Sequence, residues 1–230
     1  MEAYQRDFID FLVRSEVLLF GDFVTKSGRR TPYFVNTGRF RTGAQLERLG
    51  AWYAEAIASR FGLGFDALFG PAYKGVPLAV SAGIALARGH GKDAGVLFNR
   101  KEAKDHGEGG TLVGYEPQDG DRVVIVEDVT TAGTSIRETV PLLRAQADVR
   151  LAGLIVAVDR GERGPSGTGT ALAEVGREHD MPVAAIVTVH DILAHLTGRE
   201  LDGRVVLDDA ARERMDAYLA EYAPRGADGP

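Results

Sequence analysis

Cysteine is missing from the chain altogether, which excludes a disulfide framework, a thiol nucleophile and any zinc site built on Cys ligands. Lysine is scarce: the 27 basic residues divide into 22 Arg and five Lys, namely Lys26, Lys74, Lys92, Lys101 and Lys104. Long apolar stretches are lacking too. The most membrane-like run, Val76 to Ala87, is about twelve residues and too short to span a bilayer. The N-terminal segment sets Glu2, Asp7, Asp10 and Glu16 among its apolar positions, unlike a signal peptide. There is no net positive charge: the formal value is -6, which argues against a protein that coats nucleic acid, because that affinity needs a basic face. A local cationic pocket for a small anion stays open. The expectation is a cytoplasmic protein that acts on neither membrane nor nucleic acid.

With 230 residues, 44% of them hydrophobic, the chain can bury one substantial core, and one domain over residues 1–222 is expected. Tyr4, Phe8, Phe11, Leu12 and Ser15 follow helical spacing. Two extended stretches come next, Leu19 to Thr25 and Pro32 to Asn36, joined by the turn-like KSGRRT. Together they suggest a small helix-and-hairpin hood over 1–42. Thr42 is placed to cap a long helix with Leu46, Leu49, Tyr53, Ala56, Ile57 and Phe61 on one face and Gly62 as its stop.

Strand and helix then alternate through a core spanning 43–200. Strands are predicted at Asp66 to Phe69, Gly95 to Phe98, Arg122 to Glu127, Leu151 to Val158 and Val183 to Val189. Helices fit Val76 to Arg88, Thr134 to Ala147 and Thr168 to His179. Such alternation predicts an α/β fold, a central mostly parallel sheet flanked by helices, with ligands beyond the carboxyl ends of the strands. Residues 201–222 supply a final helix, Asp208 to Tyr222, and 223–230 read as a frayed tail.

The most informative segment is VVIVEDVTTAGTSI, Val123 to Ile136. Four buried-strand residues run into Glu127 and Asp128, two adjacent carboxylates that are costly to bury unless something pairs with them. Ribose hydroxyls, or a metal riding on them, would be suitable partners. The following loop, Thr130 to Ser135, offers backbone N–H groups and hydroxyls at a helix N-terminus, which favours a phosphate, and Gly133 allows close approach. An ordinary capped turn is the bland reading. The ATPase phosphate loop is excluded because G-x-x-x-x-G-K-[ST] is absent.

Two further segments carry cations. GPAYKG, Gly70 to Gly75, lies between a strand and a helix expected to start at Pro77, so its N–H groups and Lys74 could meet a second anion; a connecting turn is the alternative. NRKEAKDHGEGG, Asn99 to Gly110, holds Arg100, Lys101, Lys104 and His106 among acids and glycines, as a mobile or merely solvated loop would. Its H-x-E lacks the Cys pair a deaminase requires.

The Val123–Ile136 segment resembles the phosphoribosyl pyrophosphate motif of type I phosphoribosyltransferases. KSGRRTPYFVNTG, GPAYKG, RKEAKDHGEGG, EDVTTAGTS and DRGERG stand in the order and approximate spacing of the orotate phosphoribosyltransferases, a resemblance covering roughly residues 4 to 195. It implies that fold, with orotate and 5-phosphoribosyl 1-pyrophosphate as substrates. It implies Glu127 and Asp128 on the ribose hydroxyls and Thr130, Thr131, Ala132, Gly133 and Thr134 around the 5-phosphate, with Val129 and Ser135 also in the sugar pyrophosphate site. Tyr73, Lys74, Arg100, Lys101, Lys104 and His106 would hold the pyrophosphate, with Lys26 nearby. Phe34, Val35, Thr131 and Arg160 would line the orotate site. Glu127 stands where many relatives have Asp, and Val35 where a second aromatic is expected; for Arg160 the alternative is a solvated strand-end charge.

The same resemblance implies Mg²⁺ carried mainly by the pyrophosphate and ribose hydroxyls, with no dedicated protein ligands, and a homodimer with shared active sites. Lys74, Lys104, His106 and Asp128 would be the catalytic groups, since charge builds up on the departing pyrophosphate. Three rivals are set against this reading. An enzyme for another base would have no use for Arg160. A non-catalytic sensor would have little need for the loop's four cations. A general nucleotide binder would rest on Gly167 and Gly169 alone, without the third glycine or following acid.

Overall fold

The computed structural model describes residues 1–25, 28–101, 111–130 and 133–224. The predicted opening helix is α1, Ala3–Arg14, and its apolar face sets Phe8 and Phe11 against Trp52, with ring centroids 5.4 and 4.6 Å apart. Strands β1, Leu18–Val24, and β2, Arg30–Val35, pair antiparallel as the expected hairpin. A 3₁₀ turn, Thr37–Arg39, follows and leads into helix α2, Gly43–Phe61. Thr42 caps α2 through the Gln45 N–H, and Gly62 ends it at φ 70°, a conformation that costs glycine little. Leu49, Tyr53, Ala56 and Ile57 are buried on its inner face as the spacing predicts.

The rest of the chain forms β3, Ala67–Phe69; α3, Gly75–His90; β4, Gly95–Asn99; β5, Leu112–Gly114; β6, Arg122–Val129; α4, Thr134–Gln146; and β7, Arg150–Asp159. After these come α5, Ala171–His179; β8, Val183–Thr188; α6, Val189–Leu196; the short pair β9, Glu200–Leu201, and β10, Arg204–Val205; and α7, Asp209–Tyr222. The main sheet has the order β5-β4-β3-β6-β7-β8, parallel throughout except for β5 against β4. β6 is apolar on both faces because both are covered: Val124 and Val126 join the core beneath α1, α2, α3, α6 and α7, while Val123 and Ile125 join that beneath α4 and α5.

Three expectations are corrected. The first helix of the core starts at Gly75, two residues before Pro77, because proline is tolerated anywhere in a first turn whose N–H groups have no intrahelical partner. The third starts at Ala171, not Thr168, because Thr170 accepts the Ala173 N–H and sets the boundary. Val189 opens α6 instead of closing β8, because Thr188 and Asp191 form a capping box there.

The order of the strands decides where a ligand fits. From β3 the chain passes through α3 to β4 on one side, and from β6 through α4 to β7 on the other. The carboxyl ends of β3 and β6 therefore flank the crevice where the winding reverses, the general position of ligand sites in such sheets.

Candidate active site

Pleating separates the two adjacent acids. Successive side chains of a strand point to opposite faces, so Glu127 turns towards α4 and Asp128 towards the hood. Both are buried, at 5% and 6% exposure. The Glu127 carboxylate accepts the Ser135 hydroxyl at 3.0 Å and the Asp128 N–H at 2.9 Å. Asp128 Oδ2 accepts two donors, Lys74 Nζ at 2.8 Å and Thr37 Oγ1 at 2.7 Å.

Their electrostatics diverge accordingly. Burial, and then the negative charge of Asp128, push the Glu127 carboxyl up to about 7. Burial acts on Asp128 in the same direction, yet the hydrogen bonds from Lys74 and Thr37, the ammonium charge and the Val129 amide outweigh it and hold that carboxyl below the usual range. Asp128 thus stays ionised at neutral pH, while Glu127 is held near its midpoint there and keeps a share of its proton. The oxygens of the pair are already largely engaged, so they fit a metal carried by a substrate rather than one enclosed by protein ligands.

Helix caps distinguish this crevice from the other helix starts. Thr42, Thr170, Thr188 and Asp208 cap α2, α5, α6 and α7 with their side chains. The helices that follow β3 and β6 begin at Lys74 and Gly133 with no side-chain cap, which leaves their first N–H groups directed at the crevice. Gly133 is left-handed at φ 72°, and a Cβ there would overlap Val175. Gly75 is required by close approach: a Cβ would lie 2.7 Å from Pro71 and 2.9 Å from the Val126 carbonyl. Thr130 Oγ1 is buried without a hydrogen-bond partner among the described residues, a vacancy an incoming phosphate oxygen would fill.

The turn after β3 is tied to the end of β4 by the Ala72 N–H, which donates to Asn99 Oδ1 at 2.8 Å. Tyr73 is 70% exposed, with Lys101 Nζ 5.0 Å from its ring centroid. Arg100 begins the segment after β4, its N–H bonded to the Thr111 carbonyl at 2.7 Å. The structure therefore brings Lys74 to Asp128 and sets Tyr73 beside Lys101, with Arg100 at the end of β4, the strand next to β3. Lys26, Lys104, His106, Thr131 and Ala132 lie outside the described residues.

Of the residues expected to line the orotate site, Arg160 departs from the solvated alternative. It is 7% exposed, placed over the Tyr33 ring and paired with Glu162 at 2.6 Å. Phe34 is half-buried and stacked on Phe23, ring centroids 5.6 Å apart, whereas the Val35 side chain points into the core. Strand alternation puts the two neighbours on opposite faces, so Phe34 is the one turned away from that core. Sequence reasoning missed Tyr33, Thr37, Asn99 and Glu162. Their polarity gave no sign of burial, and their partners are distant in sequence; a polar residue at an apolar strand position, as with Tyr33, was the one available signal.

The phosphoribosyl transferase domain family matches residues 40–193. Orotate phosphoribosyltransferase from Lachnoclostridium phytofermentans is 53% identical over 222 residues, 96% of this chain and 98% of that protein. The chain belongs to the orotate phosphoribosyltransferases. The family member from Pseudomonas paraeruginosa is 54% identical over 226 residues, 96% of this chain and 99% of that protein. The crystal structure of orotate phosphoribosyltransferase from Francisella tularensis superposes with a TM-score of 0.80 at 33% identity, covering 94% of this chain and 99% of that one. Membership of the orotate phosphoribosyltransferases thus spans the hood as well as the sheet. Among the described residues no helix is long and apolar enough to cross a membrane.

Proposed function

We propose that this chain transfers ribose 5-phosphate from 5-phosphoribosyl 1-pyrophosphate to orotate in the cytoplasm, giving orotidine 5'-monophosphate and pyrophosphate for pyrimidine synthesis. The observation that carries the reading is the buried acid pair between two uncapped helix starts at the switch crevice. In this assignment the 5-phosphate takes the N–H groups and hydroxyls of Thr130 to Ser135, and Thr130 Oγ1 gains the partner it lacks. The ribose hydroxyls meet Glu127 and Asp128, and Arg160 and Phe34 bound the base. A single working unit over 1–222 is part of the proposal, and hydrogen bonds from hood residues Tyr33 and Thr37 to core residues support it.

The bond from the anomeric carbon to the pyrophosphate oxygen breaks, its electron pair leaving with pyrophosphate, as a pyrimidine ring nitrogen that has already given its proton to solvent bonds to that carbon. Negative charge develops on the leaving oxygens, so the useful groups are cations aimed at them. Lys74 holds Asp128 in the free protein; once ribose hydroxyls engage Asp128, its ammonium can turn on its flexible stem to the pyrophosphate. Tyr73, Arg100, Lys101, Lys26, Lys104 and His106 are assigned to the same pyrophosphate, and the Tyr73–Lys101 contact beside Lys74 supports that grouping. Glu127 and Asp128 are the residues that would lie beside a Mg²⁺ brought in by the substrate, and such an ion would add positive charge at the leaving group.

A homodimer is part of the proposal. Supporting it is an apolar groove of about 660 Å³ between α2 and α3, lined by Leu46, Ala51, Pro77, Val80 and Ile84, with Glu47 and Arg88 at its rim. Val80 and Ile84 are 41% and 52% exposed, a face that a second copy would cover. The decisive assay is pyrophosphate release with orotate, uracil or hypoxanthine as acceptor. Turnover with orotate alone is expected; turnover only with another base would overturn the substrate assignment.

A further inference from the structure

Asp128 has two side-chain partners of very different mobility. Lys74 reaches Oδ2 from the start of α3 with a side chain 59% exposed. Thr37 reaches the same oxygen from the 3₁₀ turn of the hood and is 9% exposed. That turn is fixed by backbone: the Asn36 N–H donates to the Val17 carbonyl at 2.8 Å, the Arg39 N–H to the Asn36 carbonyl at 3.0 Å, and the Phe40 N–H to the Thr37 carbonyl at 3.2 Å. The Asn36 side chain takes the Gly38 N–H, and Arg39 is pinned to Glu16 at 2.6 Å.

We infer that Thr37 is a positioning residue for the ribose contact: its hydroxyl holds the Asp128 carboxylate in place when Lys74 leaves it for the pyrophosphate. The inference rests on the proposed reaction and adds a residue to it. If Lys74 turns to the leaving group, Asp128 keeps one side-chain donor among the described residues, and that donor is Thr37. Without Thr37 as well, the buried carboxylate would keep the Val129 N–H but no side-chain donor, and would be freer to change rotamer or to take up a proton. Two donors on one oxygen also direct the rest of the carboxylate at the crevice, where a ribose hydroxyl can donate to it. The hood thereby contributes to sugar recognition as well as to the base side. The charged and titratable groups facing Asp128 are Lys74 from the start of α3, Glu127 from β6 and Tyr53 from α2.

Thr37→Val, which removes the hydroxyl at nearly constant volume, and Thr37→Ser, which keeps it, make the test. KM for 5-phosphoribosyl 1-pyrophosphate and for orotate are measured for each, with affinity for the sugar pyrophosphate taken separately by calorimetry. Thr37→Val is expected to raise KM and Kd for the sugar pyrophosphate roughly tenfold or more while KM for orotate stays within about twofold, and Thr37→Ser to restore most of the loss. Equal changes for both substrates, no change for either, or failure of Thr37→Ser to restore binding would each overturn the inference. Should Thr37→Val not fold, Thr37→Ala replaces it. Misfolding of both beside a normal Thr37→Ser would make the hydroxyl structural and equally end the inference. The underlying reaction is tested apart from this, because an inactive wild-type protein that does not bind the sugar pyrophosphate defeats the functional reading itself.

Discussion

Glu162 holds Arg160 through one oxygen, which accepts Nε at 2.8 Å and Nη2 at 2.6 Å. The guanidinium lies over Tyr33, 4.4 Å from its ring centroid, so its plane is set from below and from one edge. Nη1 has no protein partner among the described residues, and it is the edge proposed to meet orotate. Arg160→Ala is therefore expected to raise KM for orotate by about tenfold or more, the loss of one charge-assisted contact, with KM for 5-phosphoribosyl 1-pyrophosphate nearly unchanged. Steady-state kinetics with each substrate varied decides this; equal losses for both would place Arg160 outside the base site.

The same Glu162 also accepts Arg29 at 3.0 Å and the Tyr218 hydroxyl at 2.8 Å, joining hood, sheet and C-terminal helix at one buried carboxylate. Glu162→Gln keeps the shape but leaves two guanidinium groups without a counter-charge, Arg160 fully buried and Arg29 partly so. A loss of about 3 kcal/mol in unfolding free energy is expected, read by urea denaturation. Arg160→Ala should cost less, since Glu162 then retains Arg29 and Tyr218. The reverse order would mean that the cluster is held by the Arg160 stack on Tyr33.

What the sequence disclosed and what it hid divide along physical lines. Local signals with a fixed register were legible: the Thr42 cap and Gly62 stop of α2, and the apolar run of β6 that ends in Glu127 and Asp128. The chemistry of that segment was readable because two adjacent acids after a buried strand need an explanation. Strand β5 was missed because three residues carry no periodicity, and α6 because Val187 and Val189 continue the apolar run of β8 across the Thr188 cap. Thr37 and Asp128, 91 residues apart, could not be paired from spacing alone, nor could Arg160 with Tyr33. Long-range polar contacts arise from the packing of whole elements, and no local pattern records them.

Sharing of sites between subunits can be tested by mixing. A Lys104→Ala chain and a Glu127→Gln/Asp128→Asn chain are each expected to be nearly inactive alone. If the segment carrying Lys104 serves the neighbouring chain, each mixed dimer has one site with both defects and one with neither. Random exchange makes about half the dimers mixed, so activity should return to about a quarter of wild type. No recovery, with mixed dimers verified by native mass spectrometry, would mean that each chain completes its own site.

The acid pair should also leave a mark on stability. Glu127 titrates near 7 in the folded protein against an ordinary value of 4.5, raised first by burial and then by Asp128. Between those pH values the folded state keeps a proton that the unfolded state has released. Raising pH across the window therefore weakens the fold, and the contribution present below about 4.5 is lost as pH passes 7. The shift sets an upper limit of about 3 kcal/mol. Asp128 works in the opposite sense: its depressed carboxyl adds stability above its unfolded value and loses it as pH falls through the folded one. Of the pair, only the Glu127 contribution thus declines between pH 5 and 8. Glu127→Gln cannot ionise and should flatten that decline, matching wild type near pH 4.5 and exceeding it at pH 8 by one to a few kcal/mol, of the order the shift allows. Denaturant unfolding of both proteins at pH 5, 6, 7 and 8 measures it. Parallel curves across the window would show that Glu127 is ionised in the folded state, and the two acids would then have to share a counter-cation that Lys74 alone does not supply.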